Sequence, residues 1–456
     1  MATVICCFLA VVLPSKAPAQ SSGALTKEAG AAVADPAAVV AIGLTDARSA
    51  AALYEEASTY TDRKFAEFEQ KRVPFSQLLA EQTRQQQREL AATHAASLAA
   101  RAVLSGTDFY YLGLLRQLAG QGDQAIAPLK RFLAEGIGAA EKDLRRNALL
   151  TLASSASTAG RLAEAEEAFA EFARTESGGS VEDLFRLRSA LSSAYYKAGQ
   201  RQRSAAHAAA AFHSLKSASP SQIDDQARRA RMLGTTGVFL ANLYLELKQE
   251  AEAARLMEEL LRLGLTLPSA QVYRQALELL YENGHGDYVL KSVDDAARHA
   301  EAAPEIEAAT WIDAQPTTLA SLRGRVVLLD FWATWCGPCR RTMPKLKALH
   351  EKYKDKGLVV LGFTQLYGRV AGGVDGLDAA QELAFLKEYK RELRLPYPFA
   401  VADNDETDAR YGVQAIPTAF LIDRRGRVRF ITVGAGEGDY EALTGVIKKL
   451  LAEAAP

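Results

Sequence analysis

From about Asp46 to Ala303 apolar positions recur at intervals of three and four, separated mostly by Ala, Glu, Gln and Arg. That period gathers apolar side chains on one face of an α-helix, and these residue types are good helix formers, so the whole stretch is predicted to be helical. Ser76 followed by a long Gln- and Arg-rich run suggests one exposed helix. Proline is scarce in this half. Pro74, Pro128, Pro220 and Pro268 are each expected at a helix start or a connection.

The helical half carries a weak internal repeat. Its clearest unit has Leu149, Leu152, Ala153 and Ala156 on one helix, a turn at Gly160, then Ala165, Phe169 and Phe172 on a second. The same frame fits Tyr111, Leu114, Leu118, Gly122 and Ala127 before it, and Leu191, Tyr195 and Gly199 after it. Leu240, Ala241, Tyr244, Ala253 and Met257 follow, and Leu280, Gly284 and Val289 close the series. Small residues let two antiparallel helices approach, and larger apolar ones fill the seam to the next pair. The units resemble tetratricopeptide repeats, with spacing that drifts beyond a strict period of about 34 residues. Such an array offers a concave surface for a partner protein or peptide. The plainer alternative is that its Tyr and Phe residues pack the helix pairs and the array supports the rest of the chain. His207 and His213, in an Ala-rich helix, read as surface residues, and His285 lies in a Gly-flanked turn.

The pattern changes at Glu301 to Pro304. Trp311 to Leu322 suggests short extended pieces, and Arg323-Gly324-Arg325 turns into an apolar strand from Val326. A helix is expected from Cys339 to about Asp355, bent at Pro344, followed by a strand over Leu358 to Phe363. Ala379 to Glu392 reads as an extra helix and Phe399 to Ala402 as a short strand. Thr418 to Ile422 and Val428 to Val433 form a hairpin around Arg425-Gly426, and Tyr440 to Leu451 closes the domain as a helix. This succession predicts a compact α/β domain.

Charge and composition narrow the picture. The net charge is -1, from 54 basic and 55 acidic residues, which gives no sign of a nucleic-acid partner or a polybasic membrane surface. Val4 to Leu13 is an apolar run followed by Ala17-Pro18-Ala19, the pattern of a secretory signal peptide over residues 1–19, too short to span a bilayer. No Lys or Arg precedes the run, and an apolar N-terminus without a targeting role is the alternative. Residues 20–45 are Ala-, Ser- and Gly-rich and read as a flexible linker. No other run approaches the roughly 18 apolar residues of a membrane helix, so no stable membrane insertion is expected after the signal is removed.

There are four cysteines: Cys6 and Cys7 within the leader, and Cys336 and Cys339 after the strand from Val326. A buried strand feeding a turn and then a helix puts Cys336 at the helix N-terminus, where free N–H groups and the helix dipole favour a thiolate. Pro338 suits the first turn. Two cysteines three apart can close a small disulfide and open it again, which suggests thiol-disulfide exchange. Arg340 stands where a haem attachment site needs His, and no further ligands at sensible spacing suggest zinc.

Phe331-Trp332-Ala333-Thr334-Trp335-Cys336-Gly337-Pro338-Cys339, then Pro344, Ile416-Pro417-Thr418 and Val433-Gly434-Ala435, make the region 304–456 resemble the thioredoxin superfamily, and within it the TlpA/ResA-type branch. The lead-in Leu319 to Leu329 is similar to that branch too. The resemblance covers about a third of the chain. It implies a central mixed sheet flanked by helices behind the TPR-like array of residues 46–303. By that resemblance Cys336 is the exposed nucleophile, Cys339 the buried resolving thiol, and Asp330 a buried carboxylate of raised pKa that moves the proton of Cys339. TlpA-like proteins often have Asn at that position, so Asp330 departs toward thioredoxin itself. Pro417 is the implied cis-proline, with Ile416 offering its backbone to substrate. Trp335, Gly337, Pro338 and Gly434 border the groove, and Trp332 belongs to the core. Gln365 stands near a position where some members place Glu, and Tyr367 to Leu395 exceeds a minimal thioredoxin and bears on partner choice.

The resemblance implies an extracytoplasmic, periplasmic reductase of protein disulfides with no cofactor beyond the Cys336–Cys339 pair, kept reduced by a membrane electron donor, its helical array docking partner proteins. The alternative is an interaction scaffold whose thioredoxin module serves as a redox sensor or binding module.

Overall fold

The computed structural model describes residues 47–454 apart from 72, 74–75, 136–141, 175–179, 220 and 301. The leader, the linker, Pro74 and Pro220 lie outside the described residues. The chain forms two compact units that divide between Ala211 and Phe212.

The first unit is all helix: α1 (Ala50–Ser58), α2 (Tyr60–Gln70), α3 (Gln77–Ala99), α4 (Thr107–Leu118), α5 (Gly122–Ala134), α6 (Lys142–Thr158), α7 (Leu162–Arg174), α8 (Val181–Lys197) and α9 (Arg201–Ser217), in which the division falls. The helix pairs are joined by one recurring cap. Gly120, Gly160 and Gly199 take positive φ of 76°, 73° and 75°, and the next N–H returns to the carbonyl five residues back: Gln121 to Arg116 at 2.8 Å, Arg161 to Ala156 and Gln200 to Tyr195 at 2.9 Å. Glycine makes that left-handed step without a Cβ clash, which is why it closes each of these three helices. In the second pair the turn is Gly120, and Gly122 already belongs to α5. Leu149, Leu152, Ala153, Ala156, Ala165, Phe169 and Phe172 are all buried in one cluster, as their spacing predicts.

Three expectations need correction in this unit. Pro128 lies inside α5. The carbonyl of Gln124, which its missing N–H leaves free, accepts instead from the Arg116 guanidinium at 3.2 Å. The helix behind Ser76, whose hydroxyl caps it by accepting from Leu79 N–H at 3.1 Å, is only half exposed. Ala80, Ala91, Ala95 and Leu98 bury one stripe of α3, and Gln87 donates to the last carbonyls of α1 at 3.0 Å. His207 is not a surface residue. Its side chain is 13% exposed, stacked on Tyr195 at 5.5 Å and 2.9 Å from Glu166.

The second unit opens with α10 (Gln226–Glu246), α11 (Glu250–Thr266), α12 (Ala270–Glu282) and α13 (Tyr288–His299). There follow β1 (Thr310–Ile312), a short 3₁₀ turn at Ala320–Leu322, β2 (Val326–Phe331), α14 (Gly337–Tyr353), β3 (Leu358–Gln365), β4 (Arg369–Val370), β5 (Val374–Asp375), α15 (Ala379–Glu392), β6 (Phe399–Ala402), α16 (Glu406–Arg410), β7 (Thr418–Ile422), β8 (Val428–Val433) and α17 (Glu437–Ala452). Trp311 to Leu322 is thus one short strand and a 3₁₀ turn rather than a set of extended pieces. The six-stranded sheet runs β1-β6-β3-β2-β7-β8. β2, β3 and β6 are parallel, while β1, β7 and β8 run against their neighbours. This is a mixed sheet, and every residue of central strand β2 is buried, as a continuous apolar run requires.

Helices α11, α12 and α13 pack against edge strand β8. The Tyr273 and Phe430 rings meet at 6.4 Å. Arg429, itself buried, donates to the carbonyl of Val293 at 3.1 Å and to the carboxylates of Asp423 and Glu453 at 3.0–3.1 Å. The first N–H groups of α12, on Ala270 and Gln271, have no partner within their helix. They donate to the carbonyls of Tyr411 and Gly412 at 2.9 and 3.0 Å, on the loop that leads to Pro417. Among the described residues no helix is long and apolar enough to cross a membrane.

Candidate functional site

The site forms where β2 ends and α14 begins. Cys336 is the N-cap of α14 with extended backbone, and its Sγ accepts the Cys339 N–H at 3.1 Å. Pro338 falls in the first turn, where a missing N–H loses nothing. Cys336 and Cys339 are joined as a disulfide. Both are buried, Cys339 fully and Cys336 to 4% exposure, so Cys336 is far less open than expected. The Ile416 carbonyl oxygen lies 3.6 Å from its sulfur, a contact that a thiol would turn into a hydrogen bond.

The Ile416–Pro417 bond is cis. The Pro417 carbonyl accepts the N–H of Gly434 at 2.8 Å, and Gly434 takes a φ of 110°, so the end of β8 and the proline loop are held together. Asp330, level with Ala419 on β7 and Gly362 on β3, is 3% exposed. Burial alone pushes its carboxyl from 3.8 to about 8. A notch of about 30 Å³, bordered by Asp330, Thr342, Lys345, Pro417, Gly434 and Tyr440, reaches this carboxyl and has room for a water molecule. Lys345 at its rim is paired with Glu437 at 2.7 Å.

The structure therefore brings Cys336, Cys339, Asp330, Ile416, Pro417 and Gly434 into one neighbourhood, with Gly337 and exposed Pro338 on its surface. Trp332 is core, as expected. Among the described residues no three His, Cys, Asp or Glu side chains converge as metal ligands.

Residues 298–447 match the Redoxin family model. Over 141 residues the chain is 33% identical to the thiol-disulfide oxidoreductase ResA of Bacillus thuringiensis, covering 31% of this chain and 72% of that protein. The chain belongs to the thioredoxin superfamily, in its ResA-like branch. It is also 34% identical over 181 residues to protein DipZ of Mycobacterium tuberculosis, covering 37% of this chain and spanning only about a quarter, 24%, of DipZ. A solved structure of a thiol:disulfide interchange protein, DsbE, from Chlorobium tepidum is 31% identical, with 33% of this chain and 96% of that chain covered and a TM-score of 0.29.

Within this ResA-like domain the stretch from Tyr367 to Leu395 supplies neighbours that the motif does not reveal. Tyr367 meets the half-buried Trp335 edge-on at 5.3 Å, and the Arg369 guanidinium lies over the same indole at 5.3 Å. The Thr334 hydroxyl accepts from Ala371 N–H at 3.2 Å. Glu382, buried on α15, accepts from the N–H groups of Tyr367 and Gly368 at 3.0 and 2.7 Å and so anchors the β4–β5 ribbon over the redox motif. Outside this stretch, the carboxyl of Asp408 is also raised, pushed to about 7 by burial and then by Asp405. The one available signal was the excess length of this stretch.

Proposed function

We propose that the chain is an extracytoplasmic thiol-disulfide oxidoreductase that reduces disulfides in partner proteins through the Cys336–Cys339 pair. In the reduced enzyme Cys336 attacks as a thiolate, stabilised by the N–H groups at the start of α14. One substrate sulfur leaves as a thiol after taking a proton, and a mixed disulfide joins Cys336 to the other. In its ionised form Asp330 accepts the proton of Cys339, whose thiolate then attacks the Cys336 sulfur and releases the second substrate sulfur, which takes up a proton. Two electrons pass to the substrate, the enzyme is left with the disulfide, and a membrane electron donor returns it to the dithiol. Ile416 beside Pro417 meets an extended substrate backbone, Trp335, Gly337, Pro338 and Gly434 border it, and the helical units dock the partner.

The observation that carries this reading is the Cys336 sulfur capping α14 while it touches the Ile416 carbonyl beside the cis-proline. The apolar leader over Val4 to Leu13 supports the compartment. The test is trapping on non-reducing gels. Cys339→Ser should accumulate mixed disulfides with a disulfide-bonded substrate such as insulin, and Cys336→Ser should form none; traps through Cys339 alone would overturn the assignment. Equilibration in defined thiol buffers tests direction. A potential near that of thioredoxin, about −270 mV, supports a reductase, and one near about −120 mV, as for strong periplasmic oxidants, reverses it.

A further inference from the structure

The redox chemistry leaves one cleft of the second unit unused. It lies at edge strand β1, three strands across the sheet from β2, where the end of β1 meets the last turn of α15. Its volume is about 410 Å³, within the range of small-ligand sites. Trp311 walls it, the cations Lys387, Lys390, Arg391 and Arg394 surround it, and Asp313 is its sole carboxylate.

These charges are not equivalent. Lys390 is 6% exposed, and its ammonium is committed to Asp313 at 2.6 Å and to the Leu395 carbonyl at 2.9 Å. Arg391 pairs with Glu388. Among the described residues Lys387 and Arg394 have no carboxylate partner. The attraction of a helix C-terminus for cations accounts for Lys390 and Arg391 in the last turn of α15. It does not account for a tryptophan in the same cleft wall, nor for the backbone of Arg394.

Three non-glycine residues among those described have positive φ, and two of them, Asp313 at 59° and Arg394 at 49°, border this cleft. Arg394 occupies the left-handed position of the cap after α15, with Leu395 N–H returning to the Lys390 carbonyl at 3.1 Å. At Gly120, Gly160, Gly199 and Gly284 the chain fills that position with glycine, and after α10 with Lys248 at 59°. An arginine there opposes the steric preference of an L-residue. Two of the three such backbones, at Asp313 and Arg394, meet at this concave, charged surface.

We infer that this cleft binds a small aromatic oxyanion, its ring against Trp311 and its phosphate or carboxylate between Lys387 and Arg394. Guanidinium and ammonium donors suit either oxyanion. The test titrates phenyl phosphate, benzoate and inorganic phosphate into the oxidised full chain by calorimetry. Saturable one-to-one binding of phenyl phosphate or benzoate, weakened by added salt, is expected, and the tighter of the two identifies the oxyanion. Arg394→Gly, which puts the favoured residue at the left-handed position, and Lys387→Ala, on an exposed helix face, should each weaken binding by about tenfold or more. Both should leave insulin reduction unchanged. Absence of binding by both aromatic probes, undiminished affinity in Arg394→Gly, or inorganic phosphate binding as tightly as phenyl phosphate would each overturn the inference.

Discussion

Replacing Asp330 by Asn measures what a carboxyl group folded into an apolar sheet does to stability. The group is 3% exposed, and desolvation lifts its pKa from 3.8 to about 8. Below the unfolded value both states hold the proton and nothing is lost. As pH rises above it, the unfolded chain ionises while the folded one does not, so stability falls by about 1.4 kcal/mol per pH unit until the folded group itself ionises near pH 8. At pH 7 the gap is about three units, or about 4 kcal/mol. Because the Asn amide must also be accommodated, the expected gain is roughly 2–4 kcal/mol at pH 7. Urea unfolding of the oxidised protein, followed by tryptophan fluorescence, is the assay. All three tryptophans, Trp311, Trp332 and Trp335, lie in the second unit, so the signal reports that unit. The advantage of Asp330→Asn over the parent should widen from pH 5 to about pH 7.5 and stop widening above about pH 8. Parallel stability curves across that window would refute the raised pKa.

Arg429→Met should lower the stability of the same unit by about 3–5 kcal/mol, because it strands the buried Asp423 carboxylate without its cation; the urea midpoint reads it. Gly264→Ala places a Cβ 2.7 Å from the backbone of Tyr273, where no side-chain rotation gives relief, and should cost about 1–3 kcal/mol by forcing α11 and α12 apart. Arg394→Gly should raise stability by about 1 kcal/mol through relief of the left-handed backbone, read as a higher melting temperature; a lower one would contradict the strain.

The hairpin of β7 and β8 was legible to the residue, since Arg425-Gly426 separates two short apolar runs and allows little else. The cysteine pair was legible because it depends on local order, a strand end followed by a helix start, whereas the cis bond at Pro417 and the proton role of Asp330 were implied by the resemblance. What escaped depends on contacts between distant segments. Nothing near Cys336 announces that Ile416 covers it, and nothing in His207 names Glu166 or Tyr195 as its partners. Pro128 looked like a helix boundary because the local rule is strong, and the Arg116 side chain that relieves it sits on another helix. α16 was missed because five residues offer no period to read. The turns at Gly160 and Gly199, by contrast, were visible because glycine meets a local backbone demand there.

The packing of α11, α12 and α13 over β8 governs where this chain can be divided. Composition invites a cut at Pro304, just ahead of the strands. Such a fragment would expose Phe430, deprive Arg429 of the Val293 carbonyl, and leave the Tyr411 and Gly412 carbonyls without the α12 donors a few residues upstream of Pro417. A fragment opening near Asp225 keeps all of them. Transplanting the redox module into another protein therefore means carrying four preceding helices along, because part of the wall behind its proline loop is built from them.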